Sequence, residues 1–169
     1  MTSILKVSEI QDPTNGNTAL TVDSSGRVAM PNKTAFTVGY NSTTGAYVAL
    51  VTSLGLTGVV PFNFVIQGGT NGTHPNWSNT THAFTAPIAG AYYISMGGLW
   101  ETTSSGDVRI AKNQDIVHQA RFYEVSNRGV TGSVVLDLAV NDVIQLQSPY
   151  PLYLDYDNVY SFMSIAFLG

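Results

Sequence analysis

Apolar and polar residues alternate with a period of two along most of the chain, and no long stretch carries a 3.6-residue apolar period, so the pattern predicts strands rather than helices. The alternation is clearest from Ser133 to Val140, where Val134, Leu136, Leu138 and Val140 fall on one side and Ser133, Asp137 and Ala139 on the other. Asn141-Asp142 then turns the chain into Val143 to Gln147, where Ile144 and Leu146 alternate with glutamines, and the pair reads as a hairpin with one buried face. Further strands are predicted at Ala35 to Tyr40, Val59 to Ile66, Thr81 to Thr85, Gly90 to Trp100, Asp107 to Lys112, Ile116 to Phe122 and Tyr160 to Leu168. Short strands at this spacing, separated by turn residues, predict an all-β sandwich or jelly roll rather than a parallel α/β sheet. The longest loop candidate is Gly68 to Asn79, rich in Gly, Asn and Thr.

Residues 1–33 read differently from 34–169. Ile4 to Ile10 and Ala19 to Val22 are short strand candidates, Asp12-Pro-Thr-Asn-Gly16 and Asp23-Ser-Ser-Gly26 are turn signals, and Pro31 interrupts before the main body. A ribbon this short is marginal in water, because it buries too little apolar surface to offset the cost of ordering it. Leu5, Val7, Ile10, Leu20 and Val22 therefore need a partner surface, and the segment is expected to be an extended β-arm for assembly.

Composition sharpens this picture. Hydrophobic residues make up 44% of the 169 and charged residues only 11%, against about 25% charged in an average soluble domain. So few charges imply that part of the surface is covered by identical subunits or a larger assembly. With seven Lys and Arg and a net charge of −4, the chain offers no electrostatic footprint for nucleic acid. No apolar run approaches the roughly 20 residues that span a bilayer. Met1-Thr-Ser-Ile-Leu-Lys lacks a signal peptide's apolar stretch, so synthesis in a cytoplasm and no membrane partner are expected. The absence of cysteine excludes disulfides and thiol chemistry.

Candidate chemistry is sparse. His74, His82 and His118 are too scattered for a zinc motif, no G-x-S-x-G elbow marks a nucleophile, and neither an enzyme activity nor a cofactor is expected. Tyr150, Tyr153, Tyr156 and Tyr160 suit either a subunit interface, where tyrosine is common, or stacking on sugars, and the interface is the favoured reading. Trp77 sits in the long loop beside His74, Asn76 and Asn79. It reads equally as a glycan contact or as a loop anchor folded back on the core.

Several segments, in order, resemble the C1q/TNF-like family. Thr34-Ala-Phe-Thr-Val is similar to its opening strand, and Ala83-Phe-Thr-Ala-Pro-Ile-Ala-Gly-Ala-Tyr-Tyr-Ile-Ser to its strand, proline-glycine corner and Tyr-Tyr core strand. Val108-Arg-Ile-Ala-Lys-Asn stands where the family has a strand ending in a Lys-Asn turn. Gly132 to Gln147 is similar to its paired alternating strands, with Asn141 in place of a turn glycine, and Tyr160 to Gly169 resembles its closing strand, with Ser164 or Ala166 near the family's glycine. The resemblance covers about four-fifths of the chain and implies a jelly-roll β-sandwich and a tight homotrimer. It also implies that Leu154-Asp-Tyr-Asp-Asn158 lies near the subunit contacts, close to where some members bind calcium. Asp155 and Asp157 are thus weak metal candidates, with a solvated loop the better reading.

The arm, Ser3-Ile-Leu-Lys-Val-Ser-Glu-Ile-Gln with Thr18-Ala-Leu-Thr-Val-Asp-Ser-Ser-Gly-Arg-Val, resembles openings of virion structural and tail-fibre proteins of bacteriophages, especially those of marine and cyanobacterial hosts. The two resemblances together imply a virion protein: a trimeric capsid decoration or cement protein whose arm binds the major capsid protein or another virion protein. The alternative is a tail-fibre adaptor or receptor-binding tip that contacts a host-surface glycan.

Overall fold

Every regular element among the described residues is a strand. A computed structural model gives the structure and describes residues 9–11, 18–22, 24–26, 28–29, 34–40, 48–50, 58–100, 106–122, 128–148, 152–154 and 161–169. The chain divides after Thr34 into two compact units.

The first unit holds β1 (Glu9–Gln11), β2 (Thr18–Val22) and β3 (Val28–Ala29), antiparallel in that order. Register aligns Ile10 with Leu20 and Val22 with Val28, so these four apolar positions share one register face. The side chains of Ile10 and Val22 are exposed. Leu5 and Val7 lie outside the described residues, as does the side chain of Leu20.

The second unit is an antiparallel two-sheet sandwich. Its strands are β4 (Ala35–Gly39), β5 (Val48–Leu50), β6 (Gly58–Val59), β7 (Phe64–Gln67), β8 (Trp77–Ser78), β9 (Ala83–Thr85), β10 (Gly90–Trp100), β11 (Gly106–Lys112), β12 (Asp115–Phe122), β13 (Arg128–Leu138), β14 (Val143–Ser148), β15 (Leu152–Leu154) and β16 (Phe162–Phe167). One sheet runs β5-β15-β10-β16-β4-β7, with β13 also on β10; the other runs β12-β11-β14-β9-β8, with β6 on β14. Alternation sets the core: Tyr92, Ile94 and Met96 of β10, Met163 and Ile165 of β16 and Phe36 and Val38 of β4 face Phe84, Val108, Ile110, Ile144 and Leu146 of the opposite sheet. An aromatic row crosses this core, with centroids 5.7 Å apart for Phe36 and Phe84, 5.6 Å for Phe84 and Tyr92, and 5.1 Å for Tyr92 and Phe167.

Two expectations need correction. Asn141-Asp142 does turn the chain, with Asn141 at φ 69°, but β13 pairs with β10 while β14 pairs with β11, β9 and β6. The turn is therefore a corner between sheets and not a hairpin. Because β13 ends at Leu138, Val140 lies on that corner and is exposed rather than continuing the buried row. The run Val59 to Ile66 is likewise broken. Val60 N–H still bonds to Leu146 O at 2.8 Å, Phe62 N–H folds back to Val60 O at 2.9 Å, and the chain then joins the other sheet as β7. Pro61, which has no N–H to give a ladder, sits at the crossing.

Candidate functional site

Because side chains alternate across a strand, the buried rows of β10, β16, β4 and β13 leave a second row on the outer face of their sheet. Register sets Tyr93 beside Ala166 and Val135, Ser95 beside Ser164 and Ser133, and Gly97 beside Phe162 and Thr131, with Thr37 opposite Ser164 and Ala35 opposite Ala166. These residues are apolar, small or hydroxylated, and Asp137 at the β13 rim is the charged exception among the described residues of the face. Tyr93 and Val135 are exposed at 40% and 56%. Thr37 and Ser164 bond to each other through their hydroxyls at 2.8 Å, which leaves the middle of the face less hungry for water.

Tyr93 stands between two shallow grooves. One, of about 340 Å³, runs over Ala35, Thr37, Gln67, Ser164 and Ala166; the other, of about 400 Å³, runs over Ser95, Thr131, Ser133 and Phe162. The outer face of the other sheet has the opposite character. There Asp107 holds Arg109 at 2.7 Å and accepts from Gln119 Nε2 at 2.7 Å, and Gln145 donates to Thr81 O at 3.1 Å. That face thus carries an ion pair and amides, with Ile116 exposed at 47% beside them, and the outer face of the β10 sheet lacks the charges that keep a surface in water.

At one end of the sandwich a smaller groove, of about 280 Å³, lies between Pro75, Asn76, Trp77 and Ser78 on one wall and Thr85, Ala86, Pro87 and Asn141 on the other. Beside it, Asp142 caps the β13–β14 corner. Lys112 Nζ lies 2.8 Å from its Oδ2, Asn113 Nδ2 donates to Oδ1 at 2.7 Å, and the Ala139 N–H donates to Oδ2 at 2.8 Å. The Lys112 ammonium, with help from Asn113 and the Ala139 amide, lowers the Asp142 pKa to about 2.

The residues singled out from the sequence are distributed as follows. Trp77 is 7% exposed and belongs to the core, since its register with Phe84 in the β8–β9 pair turns the indole inward against Phe36. It anchors the loop and offers no open ring face for a sugar to stack on. Tyr153 is on β15, opposite Leu99 of β10 and Ala49 of β5, and its side chain is not described. Tyr150, Tyr156, Tyr160, Asp155 and Asp157 lie outside the described residues. His74 stacks on Phe36 at 4.2 Å and accepts the Asn76 N–H at 3.2 Å through Nδ1, and burial lowers its pKa. The Nδ1–H of His82 donates to Phe62 O at 2.9 Å. No cluster of His, Asp or Glu suited to a metal occurs among the described residues.

Sequence reasoning missed the outer face of the β10 sheet and the end groove. For the face, a signal existed in the small, uncharged out-facing positions of three separate strands: Ser95, Ser133 and Ser164, with Tyr93, Val135 and Ala166 beside them. The groove had none, because Asn76 and Asn141 are distant in sequence.

No family model matches the chain, and no curated protein matches it. Solved structures do. The globular domain of zebrafish complement 1qA protein is 17% identical, with a TM-score of 0.59 over 80% of this chain and 97% of that one. Eiger TNF from S. frugiperda is 10% identical, with a TM-score of 0.62 over 81% and 93%. Murine APRIL is 12% identical, with a TM-score of 0.50 over 81% and 100%. At such identities the likeness speaks to architecture alone, and with two antiparallel sheets and no helix among the described residues the chain has the C1q/TNF-like jelly-roll fold.

Proposed function

We propose that this chain is a non-enzymatic structural protein that forms a homotrimer through the outer face of the β10 sheet and is fastened by its N-terminal strands to a virus particle, as a capsid decoration or cement protein. The observation that carries the reading is the contrast between the two sandwich faces. Asp107, Arg109 and Gln119 put an ion pair and amides on one, while Tyr93 and Val135 stand exposed on an almost uncharged other. A cyclic trimer uses such a face against a different surface of the neighbouring copy, and burying it accounts for a chain with only 11% charged residues.

The exposed Ile10 and Val22 of the β1–β3 sheet supply the attachment, by apolar contact or by adding strands to a neighbour. Three arms on one trimer multiply individually weak contacts through effective concentration. The resemblance of the arm, Ser3 to Gln11 and Thr18 to Val28, to openings of phage virion proteins is what supports a phage particle. Quantitative mass spectrometry of purified particles tests the placement. A copy number comparable to that of the major capsid protein supports decoration, while a few trimers per particle moves the protein to the tail, as a fibre adaptor or receptor-binding tip.

A further inference from the structure

We propose that the groove between Asn76 and Asn141 binds an uncharged saccharide. The inference rests on the fold of a single sandwich, so its failure leaves the self-association reading untouched.

The groove's lining is neutral, polar and rigid. Its walls are tied by Thr85 N–H to Asn76 O at 2.9 Å, Asn141 N–H to Ala86 O at 2.8 Å and Ala86 N–H to Asp142 O at 2.9 Å, so little ordering is left to be done on binding. The side-chain amides of Asn76 and Asn141, one on each wall, make no hydrogen bond among the described residues. A carboxamide has a donor and an acceptor in one plane, which suits the paired hydroxyls of a sugar ring. Pro75 and Pro87 give apolar ring surfaces for its C–H faces, and their near neighbours Ile88 and Val140 are exposed at 37% and 53%.

Charge is absent where it would select an ionic ligand, because Asp142 next to the groove is held by Lys112. Trp77, packed inward on Phe36, contributes to the lining beneath the two amides, so its indole N–H reports on what enters the groove. The volume of about 280 Å³ is at the small end for ligand sites, which points to one ring and a dissociation constant on the order of 1 mM.

The test is an NMR titration of the full chain with maltose, lactose and N,N′-diacetylchitobiose at millimolar concentrations, following the side-chain amides of Asn76 and Asn141 and the Trp77 indole N–H. At least one sugar is expected to give saturable shifts at these three groups. The Asn76→Ala/Asn141→Gly variant should then weaken binding at least about tenfold, the ratio set by about 1.4 kcal/mol of lost hydrogen bonding. Glycine keeps the left-handed backbone at 141, so Asn141→Gly alone serves where the double variant does not fold. No shift with any of the three sugars, shifts confined to other residues, or binding unchanged in the variant overturns the proposal.

Discussion

Gly97 lies under the ring of Phe162 on the outer face of the β10 sheet, and the pair gives a prediction whose sign can be inverted. A Cβ at 97 would sit 2.5 Å from Phe162 Cε1, 2.9 Å from Cζ and 3.2 Å from Cδ1, so Gly97→Ala must push the ring off the sheet. Overpacking of this kind costs about 1–3 kcal/mol. Gly97 is not among the positive-φ glycines, so alanine fits its backbone and returns about 0.5–1 kcal/mol of strand stability. The net expectation is a loss of up to about 2.5 kcal/mol. In a Phe162→Ala background the obstacle is gone and the same substitution should stabilise by about 0.5–1 kcal/mol. Urea denaturation of the four variants at one fixed chain concentration measures the cycle, the fixed concentration being required because association shifts the apparent midpoint. An equal cost of Gly97→Ala in both backgrounds refutes the packing argument.

Further expectations follow from the β13–β14 corner and the core. The Asp142 pKa is depressed in the folded chain to about 2, so its contribution is present above the unfolded carboxylate range and is lost as pH falls through the folded value. Asp142→Asn should therefore flatten the fall in urea midpoint between about pH 4 and pH 2; an unchanged slope contradicts the Lys112–Asp142 account. Asn141 holds φ 69°, so Asn141→Ala should cost about 1–2 kcal/mol in chemical denaturation while Asn141→Gly stays near wild type. Equal effects would mean that the backbone is not the cause. Trp77→Ala empties a core site and should cost about 3–5 kcal/mol, and a loss below 1 kcal/mol would show that the indole is not the loop's anchor.

Much of the sandwich was legible because period-2 alternation marks strands whichever partner they take. β10 spans Gly90–Trp100 as the pattern predicts, and β14 and β16 lie within about a residue of it at most ends. Pairing was not legible. The residues of β13 and β14 show one apolar row each, and that row is the same whether the strands lie side by side or face each other across the core, so Asn141-Asp142 could not announce an inter-sheet corner. Trp77 was ambiguous for a related reason, since a two-residue strand has no periodicity to show which way it faces. The polar end groove depends on a loop and a corner brought together only by the fold.

The central claim is self-association through the uncharged sheet face, and sedimentation velocity on the wild type and on the Tyr93→Asp/Val135→Asp variant tests it most directly. The account predicts a wild-type species of three times the chain mass and a folded variant shifted to monomer, with unchanged far-ultraviolet circular dichroism. A monomeric wild type, or a trimer that survives both carboxylates on that face, contradicts it.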